Sequence, residues 1–306
     1  MTLRVIEPGL YTLVVDRGRP HTRGLGVSVG GAADFASFAL GNALVGNPPD
    51  TAALEITLAG PKLQSDCPLA CVVFGAPFEL FGSQQGRLKA GTTFTLQAGE
   101  TLSIGSTPRR ARAYFCVRGG IPEQIILGSR TSFEPICAGQ EWPCASGRLR
   151  GRFVPLFEDD EPMFRTLPGA QVDWFRLDDF YDQCFVVTPA SNRMGIRLQG
   201  QSLRLAPPLR EWPELDSEPV CPGTIQVTRD GQCVILGVDG QTIGGYAKIA
   251  HVIRADLDRI GQLRPGDRIS FRPVDLQRAR EAWSDRQARL QEMMTRLRLG
   301  GGSENC

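Results

Sequence analysis

Lysine and histidine are scarce in this 306-residue chain: Lys62, Lys89 and Lys248 are its only lysines, and His21 and His251 its only histidines. The nine cysteines include no Cys-x-x-Cys pair. Closely spaced thiolate and imidazole ligands are what a structural zinc site needs, so no metal site is expected. Charge of one sign is also missing, because 34 basic residues face 33 acidic ones and leave a net +1. A broad field that would draw nucleic acid or an anionic membrane surface is therefore absent. No stretch approaches the roughly 18 apolar residues of a membrane span, and residues 1–20 lack the apolar core of a signal peptide. The chain is expected to be cytoplasmic, with reduced and mostly buried cysteines. His-Glu-x-x-His and Gly-Lys-Ser/Thr sequences are missing too, and neither histidine has an obvious nucleophile partner in sequence, which argues against a self-sufficient hydrolase and against a Walker loop. There is no Met-Lys-Met segment either, so no covalent biotin is expected on this chain.

What the chain has in quantity is short apolar runs punctuated by 35 glycines and 22 prolines. Runs at 11–15, 69–74, 92–96, 101–104, 113–117 and 185–188, and again at 224–227, 234–238 and 268–271, predict many short strands. That pattern points to a mainly β barrel or sandwich, not a doubly wound sheet. Short helices fall between, the clearest over 33–45 after a glycine pair. A long helix is predicted over 275–299, where Leu276, Ala279, Trp283, Leu290, Met293 and Leu297 make an apolar stripe suited to packing. Residues 300–306 read as a fraying tail.

Length allows two domains of about 100–200 residues each. Residues 98–104 (AGETLSI) and 265–271 (PGDRISF) echo one another as a turn feeding a strand. Two similar lobes are expected, 1–150 and 151–274, with 275–306 as helix and tail. The crossing between them is placed in the proline-containing stretch 138–168, which carries Glu158-Asp159-Asp160-Glu161.

Three polar clusters could carry chemistry. Residues 217–253 join two strands through glycine turns to Gln241, Thr242, Gly244, Gly245, Tyr246 and Lys248. Adjacent glycines let backbone amides approach a ligand, and Lys248 offers a point charge to a carboxylate or phosphate. The plainer reading is a glycine turn beside a surface lysine. In Ser191-Asn192-Arg193-Met194-Gly195-Ile196-Arg197, the Arg193 guanidinium suits an oxyanion, and Ser191 and Asn192 could orient a carbonyl. Alternatively, Ser191 and Asn192 cap a turn and the arginines pair with acids such as Glu218. The third cluster holds Asp16 and Asp34 as acids, bases or ligands, or else as turn formers, with Asp34 capping the helix after it.

These clusters, together with Ala53-Leu54-Glu55-Ile56-Thr57, Gly119-Gly120-Ile121, Leu127-Gly128-Ser129-Arg130 and Gly223-Thr224-Ile225-Gln226-Val227, resemble the 5-oxoprolinase C-subunit family over about residues 5–272. That family is also called allophanate hydrolase subunit 2 or biotin-dependent carboxyltransferase-like. The resemblance implies two tandem cyclophilin-like β-barrel lobes and a hetero-oligomer with two partners, the amidohydrolase-like A subunit plus the sister B subunit. It also implies ATP-dependent opening of the 5-oxoproline lactam to glutamate, with ATP and Mg2+ used in the complex. Phosphorylating the oxygen of a poorly electrophilic amide would lower the barrier to attack by water. On this resemblance Arg193, Lys248 and Asp34 are the catalytic candidates. Ser191, Asn192, Gln226, Gln241, Thr242, Gly244, Gly245 and Tyr246 are the substrate-binding candidates. Two other functions are kept open: a carboxyltransferase subunit of a urea carboxylase or allophanate hydrolase-like system, and a regulatory partner of the sister subunit. The second rests on Val15 and Gly30, which stand where relatives carry polar side chains.

Overall fold

A computed structural model describes residues 1–149, 151–157 and 161–299 of the chain. The acidic run at 158–161, apart from Glu161, the residue at 150 and the tail at 300–306 lie outside the described residues. Residues 1–19, 30–149, 151–157 and 289–299 cluster as one compact unit, and 20–29 with 161–288 as a second.

Two antiparallel sheets build the first unit. The larger runs Glu141–Pro143, Thr2–Glu7, Lys62–Ser65, Thr101–Ile104, Leu80–Gly82 and Gly86–Leu88 in spatial order, and the other runs Tyr11–Val15, Ala53–Thr57, Arg112–Val117, Leu69–Gly75 and Phe94–Leu96. The strands Leu69–Gly75 and Arg112–Val117 are buried throughout, because alternate side chains enter two different cores. Cys71, Val73, Ala113, Phe115 and Val117 pack into the core that both sheets share. Val72, Phe74, Tyr114 and Cys116 face the helix Phe35–Leu44. That helix comes so close that a Cβ on Gly41 would lie 2.8 Å from the Cys116 Sγ, so a side chain there would force the sulfur or the helix to shift. Leu290 and Met294, from the last turns of the C-terminal helix Leu276–Leu299, join the same cluster.

The second unit is a closed barrel of seven strands. Their order is Met163–Pro168, Ala247–Val252, Thr224–Val227, Cys233–Leu236, Gly195–Gln199, Phe185–Val187 and Arg268–Pro273, and the last closes in parallel on the first. Phe164, Phe180, Phe185 and Phe271 fill its interior, with the Phe180 and Phe271 rings stacked at 4.8 Å. Each such side chain contributes about 1.5–3 kcal/mol by leaving water. Ala279 and Trp283, early in the C-terminal helix, pack with Ile253 and Ala255. Leu276, placed in the predicted stripe, is more than half exposed.

The sequence echo has a structural counterpart. Glu100 and Asp267 close the same turn, each accepting from the backbone N–H three residues earlier, Gln97 at 2.8 Å and Arg264 at 2.9 Å. The turns feed the strands Thr101–Ile104 and Arg268–Pro273, with Gly99 and Gly266 at positive φ.

Candidate functional site

The site is built on a β-bulge in the second unit. Along the pair Thr224–Val227 and Ala247–Val252 the register runs Ile225 opposite Ala250, then Gln226 opposite Lys248, so Ile249 is passed over. A bulge bends its strand and re-aims side chains. At this one Gln171 takes over the backbone of Lys248: its N–H donates to the Lys248 carbonyl, and its Oε1 accepts from the Lys248 N–H, both at 3.0 Å. Gln171 was not among the expected residues. A glutamine 77 positions away carries no sequence signal of this role.

Lys248 is buried, and its Nζ lies 2.6 Å from Glu218 Oε2 and 3.3 Å from the Tyr246 carbonyl. The hydrogen bond from Lys248 holds the Glu218 carboxyl below the usual carboxylate range. Gln171 Nε2 also donates to Glu218, at 3.4 Å. Burial, then the charge of Lys248, pushes the His251 imidazole below its ordinary value, and its Nδ1 sits 3.2 Å from the Thr224 hydroxyl.

Gln226 lies beside this pair. Its Oε1 accepts from Gln241 Nε2 at 3.4 Å, while its buried Nε2 has no hydrogen-bond partner among the described residues. A Cβ on Gly244 would come within 2.3 Å of Gln241 Nε2 and 2.6 Å of Gln226 Nε2, so any side chain at 244 would displace both amides. Gln226 and Gln241 line a cavity of about 210 Å³ together with Asn192, Arg197, Thr228 and Tyr246. Thr228 and Tyr246 also line a larger cavity of about 860 Å³, whose walls include Trp174, Trp212, Asp216 and Arg229. Tyr246 therefore borders both spaces; the two tryptophans were not anticipated.

Of the substrate-binding candidates, Asn192, Gln226, Gln241 and Tyr246 meet around the smaller cavity. Ser191 and Asn192 behave as turn formers. The Ser191 hydroxyl accepts from the Arg197 N–H at 3.0 Å, and Asn192 Oδ1 accepts from the Met194 and Gly195 N–H groups at 2.9 and 3.2 Å. Thr242 is buried, and its carbonyl accepts from the Val220 N–H. Gly245 lines only the larger cavity of the two.

Among the described residues neither Arg193 nor Lys248 lines the smaller cavity. Arg193 is buried and grips Asp239 with two nitrogens, Nε at 2.6 Å and Nη2 at 2.9 Å, while the Asp239 N–H returns to the Arg193 carbonyl. Gly237 packs against that carbonyl, where a Cβ would lie only 2.1 Å away. The acid that answers Arg193 is thus Asp239. Glu218, the acid suggested by the sequence, is taken by Lys248, because the pairing Glu218–Gly244 brings it to the bulge.

Asp34 belongs to the first unit. Its carboxylate caps the helix Phe35–Leu44 by accepting from the Ser37 N–H at 3.0 Å and hydroxyl at 2.6 Å, and Arg110 stands 3.6 Å away. The Asp34 N–H donates to the Tyr114 hydroxyl, which donates in turn to Glu55. Burial, then the charges of Glu55 and Asp34, pushes the Tyr114 phenol well above its ordinary value. Asp16 is likewise a hub, accepting from Gly18 N–H, Arg130 N–H and the hydroxyls of Ser129 and Thr131.

Among the described residues no group of three or more His, Cys, Asp or Glu side chains is arranged to hold a metal, and no helix is long and apolar enough to cross a membrane. Residues 25–273 match the family model for the carboxyltransferase domain, subdomain A and B. The chain is 31% identical to the 5-oxoprolinase C subunit of Escherichia coli, over 96% of this chain and 98% of that protein. With the protein of the same name from Haemophilus influenzae it shares 32% identity, over 87% and 89%. The crystal structure of Kluyveromyces lactis urea carboxylase superimposes with a TM-score of 0.85 at 27% identity, covering 95% of this chain and 29% of that one. The chain therefore belongs to the family of carboxyltransferase domains, subdomain A and B, that includes the C subunit of 5-oxoprolinase.

Proposed function

We propose that this chain is the C subunit of an ATP-dependent 5-oxoprolinase. It acts in a cytoplasmic hetero-oligomer with the amidohydrolase-like A subunit plus the sister B subunit, and it holds the lactam while the complex opens it to glutamate. The observation that carries this reading is the unpartnered Nε2 of Gln226 beside the small cavity. A buried donor without an acceptor costs about 1–3 kcal/mol, which the carbonyl of a bound amide would recover. Arg197 is the one cation among the described lining residues, and it suits the carboxylate of 5-oxoproline. A donor for a neutral carbonyl and a fork for a carboxylate match two of this substrate's polar groups, its lactam carbonyl and its carboxylate.

Arg193 and Lys248 act through position in this reading. Each is neutralised by a carboxylate, Asp239 or Glu218, so these residues as they stand do not fit a triphosphate. ATP and Mg2+ are accordingly assigned to the assembled complex and not to this cavity. Lys248 fixes the bulge that presents Gln226, and the Arg193–Asp239 pair fixes the turn that carries Asn192 and leads into the strand bearing Arg197. The test is reconstitution: adding the purified chain to its A and B partners should raise ADP and glutamate release from 5-oxoproline. Release no faster than with those two partners alone would contradict the proposal.

A second reading, the carboxyltransferase step of a urea carboxylase-like system, is favoured by the likeness to the Kluyveromyces lactis enzyme. Urea also offers a carbonyl to Gln226, but it has no carboxylate for Arg197. Arg197→Leu separates the two, since it should impair use of 5-oxoproline and leave use of urea unchanged.

A further inference from the structure

In the first unit two cysteines meet where the N-terminal strand begins. Leu3 of the strand Thr2–Glu7 is paired with Ser65 on one side and Trp142 on the other. Both neighbours run antiparallel to it, so both continue past its first residue and close over its end. Cys67 lies two residues beyond Ser65, and Cys144 two beyond Trp142. Backbone hydrogen bonds hold the crossing in place: Cys144 N–H to the Met1 carbonyl at 3.0 Å, and Gly147 N–H to the Pro68 carbonyl at 2.9 Å. The Ser65 hydroxyl donates to the Cys67 carbonyl at 2.7 Å and fixes the other arm. The two sulfurs stand 3.7 Å apart, Cys67 buried and Cys144 half-buried.

We propose that Cys67 and Cys144 are a disulfide-forming pair that, on exchange with a small-molecule disulfide such as glutathione disulfide, staples the two strands flanking the N-terminal strand. The Cys144 thiolate, reached from solvent, attacks one sulfur of glutathione disulfide, forming a mixed disulfide and releasing one glutathione thiolate. The Cys67 thiolate then attacks the Cys144 Sγ and expels the second glutathione. The protein loses two hydrogens as two electrons pass to the reagent, and the reagent leaves as two molecules of glutathione. Closing the bond requires the sulfurs to approach to about 2.05 Å. Burial, the neighbouring Cys67 thiol and the Asp66 carboxylate push the Cys144 thiol up to about 11. Its thiolate is therefore scarce at neutral pH, and exchange is slow there.

The experiment incubates the full chain with glutathione disulfide at about pH 8.5. It then maps peptides without reduction and records a melting curve. The expected result is a peptide joining Cys67 to Cys144 and a Tm higher by about 5 °C, reversed by dithiothreitol. Cys67→Ser should carry a glutathione adduct on Cys144 and show no rise in Tm. Recovery of Cys67 and Cys144 from the wild-type chain only as free thiols or glutathione adducts, while the exposed Cys137, Cys184 and Cys221 have reacted, would overturn the pairing. A 67–144 crosslink with an unchanged Tm would overturn the staple.

Discussion

Lys248 and Glu218 form a 2.6 Å ion pair in which the ammonium is buried and the carboxylate reaches solvent. The Glu218 carboxyl is held below its usual range by that hydrogen bond, so the pair stabilises the fold above the ordinary glutamate range. This contribution is lost as pH falls through the lowered value. Glu218→Gln should therefore lower Tm at about pH 7 by more than at a pH below the lowered value, where both proteins carry a neutral side chain. An equal deficit at both pH values would mean that the charge of Glu218 contributes nothing.

The two histidines make the electrostatics of Lys248 directly readable, because only His21 and His251 titrate in an imidazole NMR spectrum. His251 should titrate below the ordinary histidine range, burial being the larger cause and Lys248 the smaller. Lys248→Met should raise the His251 midpoint without restoring it to the ordinary value. His251 is held neutral, so its contribution to stability is present above the ordinary histidine range and lost as pH falls through the lowered value. A His251 midpoint unmoved by Lys248→Met would place the lysine charge elsewhere.

Asp34 is expected to reveal itself through stability. Asp34→Ala removes a helix cap and leaves Arg110 and Ser37 without this partner in a buried setting. A loss of about 3 kcal/mol is expected by urea denaturation. Asp34→Asn keeps an acceptor for the Ser37 N–H and should lose about half as much. Identical losses for the two variants would show that capping is not what Asp34 provides.

The residues themselves make much of this fold legible, and the reason is local. The strands Tyr11–Val15, Thr101–Ile104 and Thr224–Val227 fall where apolar runs are cut by turns, and the helix Phe35–Leu44 starts where Asp34 can cap it. The repeated turn at Glu100 and Asp267 is legible for the same reason, since its hydrogen bond spans three residues. Partner choice among charges is not legible. Glu218 finds Lys248 only because a bulge skips Ile249 and Gln171 replaces a neighbouring strand, and neither event leaves a mark in composition or period. The candidate site divides along the same line. Gln226, Gln241 and Tyr246 share a cavity because the strand Thr224–Val227 pairs with both Cys233–Leu236 and Ala247–Val252, whose connection carries Gln241 and Tyr246, whereas Trp174 and Trp212 arrive from segments outside these strands.

Arg197 should govern which substrate is taken. In the reconstituted complex, Arg197→Leu is expected to raise KM for 5-oxoproline by about 10-fold or more, the usual worth of a charge-assisted hydrogen bond. Thermal stability should stay within about 1 °C, because the side chain is exposed. An unchanged KM would remove the carboxylate from this end of the cavity.

The most direct measurement is the steady-state kinetics of the reconstituted complex carrying Gln226→Leu, which deletes the unpartnered donor and keeps an apolar side chain in its place. KM for 5-oxoproline is expected to rise by about 10-fold or more, with ATP hydrolysis becoming correspondingly less responsive to 5-oxoproline. Kinetic constants equal to those of the unaltered complex would contradict the assignment of this cavity to the lactam.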